Sequence, residues 1–315
     1  MSGPLVTALR AELERTNFAG RTVTLAEGAA ASGAVALITA VLGRRVDALV
    51  LAGVGALGLA DDLLEPRQRR AGRAVAKGLR GHLGALRAGR LTTGAAKALG
   101  IPVLALLATA AAPGERSGRW GAAHVAQVLT DAALVAGSAN LVNLLDLRPG
   151  RALKVVLPAA VALTVTPLPT AADQEATGGG RAAGSDRGAG RGRSGRTLGA
   201  AALIPAAAAL VPDLREHGML GDAGANALGA AVGLAVTRRT TPPVRLGLLA
   251  GVAALTLASE RVSFSAVIDR TPPLRALDRW GRLSLPSAPH VPGPDTASRD
   301  AAGTDTAGSD PEQAG

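Results

Sequence analysis

Eight runs of apolar residues with few or no charges are strung along the chain, separated by charged or Pro/Gly-rich segments. They lie near residues 28–43, 46–60, 98–112, 121–139, 152–168, 198–212, 226–236 and 244–258. A helix crossing the hydrocarbon of a bilayer needs ~20 mainly apolar residues, with ~17 as a lower limit. The shorter runs would have to borrow flanking residues, snorkel a terminal Lys154 or Arg245, or thin the bilayer locally. The pattern predicts an all-α fold, a polytopic integral membrane helix bundle of about eight transmembrane helices. Asp131, inside the fourth run, would have to face the bundle interior.

Composition points the same way. Ala, Leu and Val dominate an apolar fraction of 48%, while aromatics make up 1%. A soluble core of this size relies on large aromatic side chains, whereas a lipid-solvated bundle can pack on Ala, Gly and Leu. With no cysteine there is no disulfide framework and no thiolate metal site. The net charge of +10 would suit nucleic acid. However, the basic residues sit between apolar runs, without an aromatic platform or a recognition-helix pattern, so a membrane surface and phosphorylated substrates account for them better and no nucleic-acid partner is expected. Arg10, Glu12, Glu14 and Arg15 near the amino end argue against a cleavable signal peptide.

These features divide the chain into an amino-terminal cytoplasmic segment (1–27), a transmembrane domain (28–258), a cytoplasmic loop or helix (259–284) and a Pro/Gly/Asp/Ser tail (285–315). The tail is expected to be disordered, as is a Gly/Arg-rich loop at 170–197, because neither has the large apolar residues needed to offset ordering entropy.

Polar residues cluster at the ends of the runs. Asp61 and Asp62 close the second run in ADDLLEP, and an Arg-rich stretch containing Lys77, Arg80, His82 and Lys97 follows. Asn140, Asn143 and Asp146 recur at i, i+3 and i+6, so on a helix they fall within one broad face. Asp222 stands in MLGDAGANALG. Each has a plainer reading: solvated acids at a helix end, Asn residues bonding neighbouring helices, a helix N-cap at Asp222, and basic residues that hold a loop in the cytoplasm. The last reading suits most of Arg67, Arg69, Arg70 and Arg73. His124, His217 and His290 show no metal-ligand spacing.

Taken in order, ADDLLEP, KGLRGHLGALRAGRLTTGAAK, NLVNLLD and MLGDAGANALG resemble the polyprenyl-phosphate N-acetylhexosamine-1-phosphate transferase superfamily, glycosyltransferase family 4. This superfamily includes the bacterial phospho-N-acetylmuramoyl-pentapeptide transferase. The resemblance runs from about Asn17 to Arg282. It implies a phosphoglycosyl transferase of the bacterial cell membrane with its active face cytoplasmic, moving a sugar-1-phosphate from a UDP-sugar to polyprenyl (undecaprenyl) phosphate. The reaction would depend on Mg²⁺, release UMP and serve cell-wall biogenesis; an oligomer is compatible with it. Asp61, Asp62 and Asp222 match the catalytic acids, with Asp222 the metal ligand. Asn140, Asn143 and Asp146 match the nucleoside-sugar pocket, and Lys77, Arg80, His82 and Lys97 would hold substrate phosphates.

The chain departs from that pattern at three places, the mildest being Glu65 at the third acidic position of a DDxxD pattern. Asp146-Leu147-Arg148-Pro149-Gly150 replaces the usual DGxDG, so Pro149 stands where a second acid belongs. SERVSFSAVID replaces a His-rich motif, with Glu260 or Arg261 as substitutes. The alternative is therefore a catalytically impaired membrane relative that binds polyprenyl lipid or scaffolds envelope proteins. A transporter-like bundle would carry acids at mid-span, and apart from Asp131 the acids here are at run ends. If Asp61-Asp62 faces the cytoplasm, two crossings bring 140–146 back to that side and two more return Asp222. The expectation is that all three motifs share one end of the bundle.

Overall fold

A computed structural model describes residues 11–70, 92–112, 121–166 and 183–282. Lys77, Arg80, His82, His290, the first part of the Gly/Arg-rich loop and the tail lie outside the described residues. Each of the eight apolar runs falls in its own helix: α1 (Ala26–Val41), α2 (Arg45–Arg70), α3 (Thr93–Ala110), α4 (Ala122–Leu145), α5 (Arg151–Val165), α6 (Ala183–Leu214), α7 (Gly221–Arg239) and α8 (Pro242–Ser259). Two short helices follow, α9 (Phe264–Arg270) and α10 (Pro272–Arg279). Ahead of α1, β1 (Glu14–Thr16) and β2 (Thr22–Thr24) form an antiparallel hairpin in which Glu14 faces Thr24. The hairpin is tied to the chain before α7, where Met219 N–H donates to Thr24 O at 3.0 Å.

The protein is a helical membrane protein, all-α apart from that hairpin. Four described helices are long and apolar enough to cross a bilayer: α3, α4, α6 from Gly190 onward, and α8. This is fewer than the expected eight, for physical reasons. α1 and α5 have 16 and 15 residues, and at 1.5 Å per residue the latter covers only about 22 Å of an ~30 Å hydrocarbon layer. α2 and α7 are longer but carry charges near both ends, Asp47 with Asp61-Asp62 and Asp222 with Arg238-Arg239.

α7 is the axis of the bundle. It packs against α1, α2, α4, α5 and α6, and almost every residue along it is buried. A helix enclosed on all sides can afford few large side chains, and its sequence GDAGANALGAAVGLAV is nearly all Gly, Ala and Leu. A Cβ added at Gly229 would fall 2.6 Å from the Ser138 carbonyl oxygen of α4, so that crossing depends on the missing side chain.

The end of the bundle where α7 finishes is held by buried ion pairs. Arg238 reaches Asp47 of α2 at 2.7 Å. Arg245 binds both oxygens of Asp131 through one nitrogen, at 3.1 and 2.8 Å. Asp131 thus faces the interior, as expected. Snorkelling by Arg245, one of the ways a short run could be accommodated, is not seen: the residue is 2% exposed, because a carboxylate on a neighbouring helix offers it a better partner than the interface does.

Disorder is expected at 170–197, but from Ala183 onward this segment is helical, as the start of α6. The order there comes from contacts that composition does not reveal. Arg191 donates to the Thr237 carbonyl at 3.2 Å and lies 3.8 Å from Asp131, while the Ser194 hydroxyl meets Arg238 at 3.2 Å.

Candidate functional site

At the opposite end, where α7 begins, the separated acidic motifs meet. α2 and α7 approach backbone to backbone: a Cβ at Gly58 would fall 2.4 Å from the Asp222 carbonyl oxygen. One turn further along α2, Asp62 accepts the Asp222 N–H through Oδ1 at 3.1 Å and the Ala223 N–H through Oδ2 at 3.0 Å. The first N–H groups of a helix have no partner within it, and a carboxylate there also opposes the positive end of the helix dipole. The preceding Gly221 takes φ +57°, the left-handed region, to bring the chain into this cradle. Asp222 is therefore not the cap of its own helix. The N-cap position is Leu220, which makes no side-chain cap, and Asp62 supplies the cap from another helix. Burial raises the Asp62 carboxyl above the usual carboxylate range, against the lowering pull of those two N–H groups and of Lys97.

Asp61 points the other way, toward Lys97 in the first turns of α3. That helix starts at Thr92, whose side-chain oxygen accepts the Ala95 N–H at 3.1 Å. Lys97 Nζ lies 2.8 Å from Asp61 Oδ2 and 2.5 Å from Asp222 Oδ2. The two carboxyl groups therefore share one ammonium. Burial, with the neighbouring Asp61 and Asp62, pushes Asp222 up to about 7 despite Lys97. Burial would also raise Asp61, but hydrogen bonds from Asp222, Lys97 and Thr93 outweigh it and hold Asp61 below its ordinary value. Of the two acids, Asp222 is the one that holds a proton more tightly. Its backbone carbonyl accepts from Asn226 Nδ2 at 2.7 Å, one turn further along α7.

Asp146, the C-cap of α4, lies near the Gly221 N–H. It is 8% exposed, and its Oδ2 has no hydrogen-bond partner among the described residues. Burial raises it well above the usual range, and the nearby charge of Asp213 raises it further. Asp213 is itself buried and accepts the Gly150 N–H at 3.1 Å. Glu27, just before the apolar part of α1, is pushed up to about 8 by burial and then by Asp213. A cavity of about 230 Å³ opens beside these acids, lined by Asn17, Phe18, Asp146, Arg148, Asp213 and Glu216 among others. The Arg148 guanidinium sits 4.5 Å above the Phe18 ring, forming one wall by a cation–π contact.

The structure thus brings Asp61, Asp62, Lys97, Asp146 and Asp222 to one end of the bundle. Asn140 is exposed and Asn143 half-buried, so neither shares the buried setting of Asp146. Glu260 and Arg261 are exposed after α8. Sequence reasoning overlooked Asp213 and Glu27, although both carry the signal that marked the others, an acid at the end of an apolar run. Among the described residues, no group of three or more His, Cys, Asp or Glu is arranged to hold a metal ion. The oxygen donors of Asp61 and Asp222 are of the kind a hard divalent cation uses, and Mg²⁺ is commonly held by one or two carboxylates with substrate phosphates completing the shell. Here the Lys97 ammonium stands between them as the cation. Comparison with known protein families, characterised proteins and solved structures gives no match for this chain.

Proposed function

We propose that the protein is a phosphoglycosyl transferase with about eight membrane-spanning helices, moving a sugar-1-phosphate, N-acetylhexosamine-1-phosphate, from a UDP-sugar to a polyprenyl phosphate with release of UMP. The observation that carries this reading is the meeting of Asp61, Asp222 and Lys97, from three distant sequence motifs, at one end of an apolar bundle. A reaction between two phosphates needs a cation to offset their charge and a carboxylate to take or orient a proton. Lys97 is the resident cation, and Asp61, the ionised member of the pair, is the group able to accept a proton from the lipid phosphate. Asp62 is a positioning residue, because it fixes the start of α7 and with it Asp222. Asp222 would hold Mg²⁺, which when bound would polarise the phosphate oxygens and neutralise developing charge.

In this reading the acid end faces the cytoplasm of a bacterial cell, where the Arg-rich segment would be retained by the positive-inside rule, and the product feeds cell-envelope glycopolymer synthesis. Asn140, Asn143 and Asp146 contact the nucleoside-sugar, while Lys77, Arg80 and His82 contact the phosphates. Asp213, beside Asp146, brings a second carboxylate to the region where Pro149 interrupts the expected motif. The second reading, a relative that binds polyprenyl lipid without turnover, is favoured by one feature: Lys97 pairs with both Asp61 and Asp222.

The test is UMP release by purified protein with Mg²⁺, undecaprenyl phosphate and a panel of UDP-N-acetylhexosamines. Turnover with at least one donor is expected. Binding of the lipid without UMP from any donor would leave the second reading.

A further inference from the structure

We infer that α9 and α10 form an interfacial anchor that lies on an anionic lipid surface at the acid end of the bundle. This rests on the chain being a membrane protein and not on the transferase reading. Leu274, Leu277 and Trp280 recur at i, i+3 and i+6 along α10 and its C-cap, so they share one face. All three are exposed, by 43, 56 and 72%. Val267 of α9 and Val262 before it extend the exposed apolar surface. Asp278, one turn after Leu274 on the flank of that face, ties α10 to the bundle. Asp278 is buried against Arg151 of α5 at 2.8 Å and also receives Arg282 at 2.7 Å. Lys154 donates to the carbonyls of Leu277 and Asp278 at 3.1 and 2.6 Å. Arg148 reaches Asp269 of α9 at 3.2 Å.

Three features point to lipid as the occupant of the exposed face. The pair of helices is fixed to the α4–α5 connection and follows the end of α8, so it sits where two spanning helices leave the hydrocarbon. Arg275 and Arg279 are exposed on the side of α10 away from the apolar residues, and Arg270 is exposed on α9, the arrangement that draws an amphipathic helix onto anionic headgroups. Trp280 at the end of the apolar face has the ring type enriched at membrane interfaces. The attachment has a consequence for the cavity, since Arg148, which forms its wall against Phe18, is the same side chain that holds α9.

Trp280 permits a direct test, because Trp120 is the only other tryptophan in the chain. The full chain carrying Trp120→Phe would be placed in nanodiscs of phosphatidylglycerol and phosphatidylcholine, with bromine either near the headgroup end of the acyl chains or near their methyl ends. Bromine near the headgroup should lower Trp280 fluorescence about twofold and deep bromine much less, as expected for a side chain at the headgroup/acyl boundary. Arg275→Glu with Arg279→Glu should weaken the shallow quenching, as should omission of phosphatidylglycerol. Ready quenching by aqueous acrylamide with no effect of bromine would place the face in water and overturn the inference. Protection from both quenchers would mean that protein covers it, with the same result. Equal quenching in neutral and anionic discs, unchanged by the Arg substitutions, would overturn the anionic preference. Should a variant misfold, hydrogen exchange of the unmodified chain in the two disc types gives an independent reading, with residues 264–280 expected to be more protected in the anionic discs.

Discussion

Asp62 Oδ1 accepts the backbone N–H of Asp222, 160 positions later in the chain, at 3.1 Å, so a carboxylate on α2 caps the start of α7. Adjacent in sequence, Asp61 and Asp62 therefore do different work. Asp62 holds the start of α7, and Asp61 faces Lys97 and the carboxyl of Asp222.

Asp62→Ala removes the acceptor for two N–H groups at the start of the central helix. The loss expected for a cap is ~1 kcal/mol, ranging up to about 2, and unfolding in nanodiscs or mild detergent would measure it. Asp62→Asn keeps an acceptor oxygen and should lose less. Asp61→Asn, which leaves the cap intact, should cost less stability than Asp62→Ala.

Lys97→Met leaves Asp61 and Asp222 facing each other without a cation. Stranding buried charge in this way costs roughly 3 kcal/mol or more. Adding Asp222→Asn removes one of the two acids, so the double variant should regain a measurable part of the loss. A double-mutant cycle on unfolding free energies reports the coupling, and additive losses would show that the three groups do not act together.

Stability should also depend on pH through Asp222. The folded protein keeps its proton up to about 7, whereas an unfolded aspartate loses its proton near about 3.9. Between those values the folded state binds more protons, so this contribution to stability is present at low pH and is lost as pH rises from about 4 to about 7. Asp61, held below the ordinary range, works in the opposite sense at the acid end of that window. Asp146 and Glu27 share the direction of Asp222, so the informative quantity is a difference. Asp222→Asn should show a shallower decline in stability across this range than the parent protein, and parallel pH profiles would contradict the assignment.

At the far end of the bundle, Asp131→Ala would leave the buried guanidinium of Arg245 without its two carboxylate contacts. A loss of about 3 to 5 kcal/mol is expected. Pairing it with Arg245→Leu replaces a broken ion pair by apolar contact and should recover most of the loss, as read from the unfolding midpoint.

The helices were legible because apolar runs are local: each of the eight marks one helix, although α2 continues well past its run to Arg70 and α6 begins well before its own at Ala183. The interior position of Asp131 was legible too, because an acid inside an apolar run has few places to go. The fate of Arg245 was not, since its partner lies 114 positions away and flanking sequence alone favours snorkelling. The order in the first turns of α6 was hidden for the same reason. Glycine and arginine look unfoldable until Arg191 finds Thr237 and Asp131. At the site, the convergence of Asp61 and Asp222 followed from counting crossings. Asp62 as a cap in trans and Lys97 as the bridge between two acids are tertiary facts with no local signature, whereas Asp213 and Glu27 stand at the ends of apolar runs and only their burial was hidden.

The central claim is that Asp61 and Asp222 form one reacting pair around Lys97. It is tested most directly by UMP release from Asp61→Asn and Asp222→Asn, each compared with the parent protein and with Asp62→Asn at matched folded concentration. The account predicts turnover by the parent, a fall of at least about a hundredfold in both pair variants, and a smaller loss in Asp62→Asn. Parent-like turnover in either pair variant, or no turnover by the parent with any UDP-sugar, would contradict it.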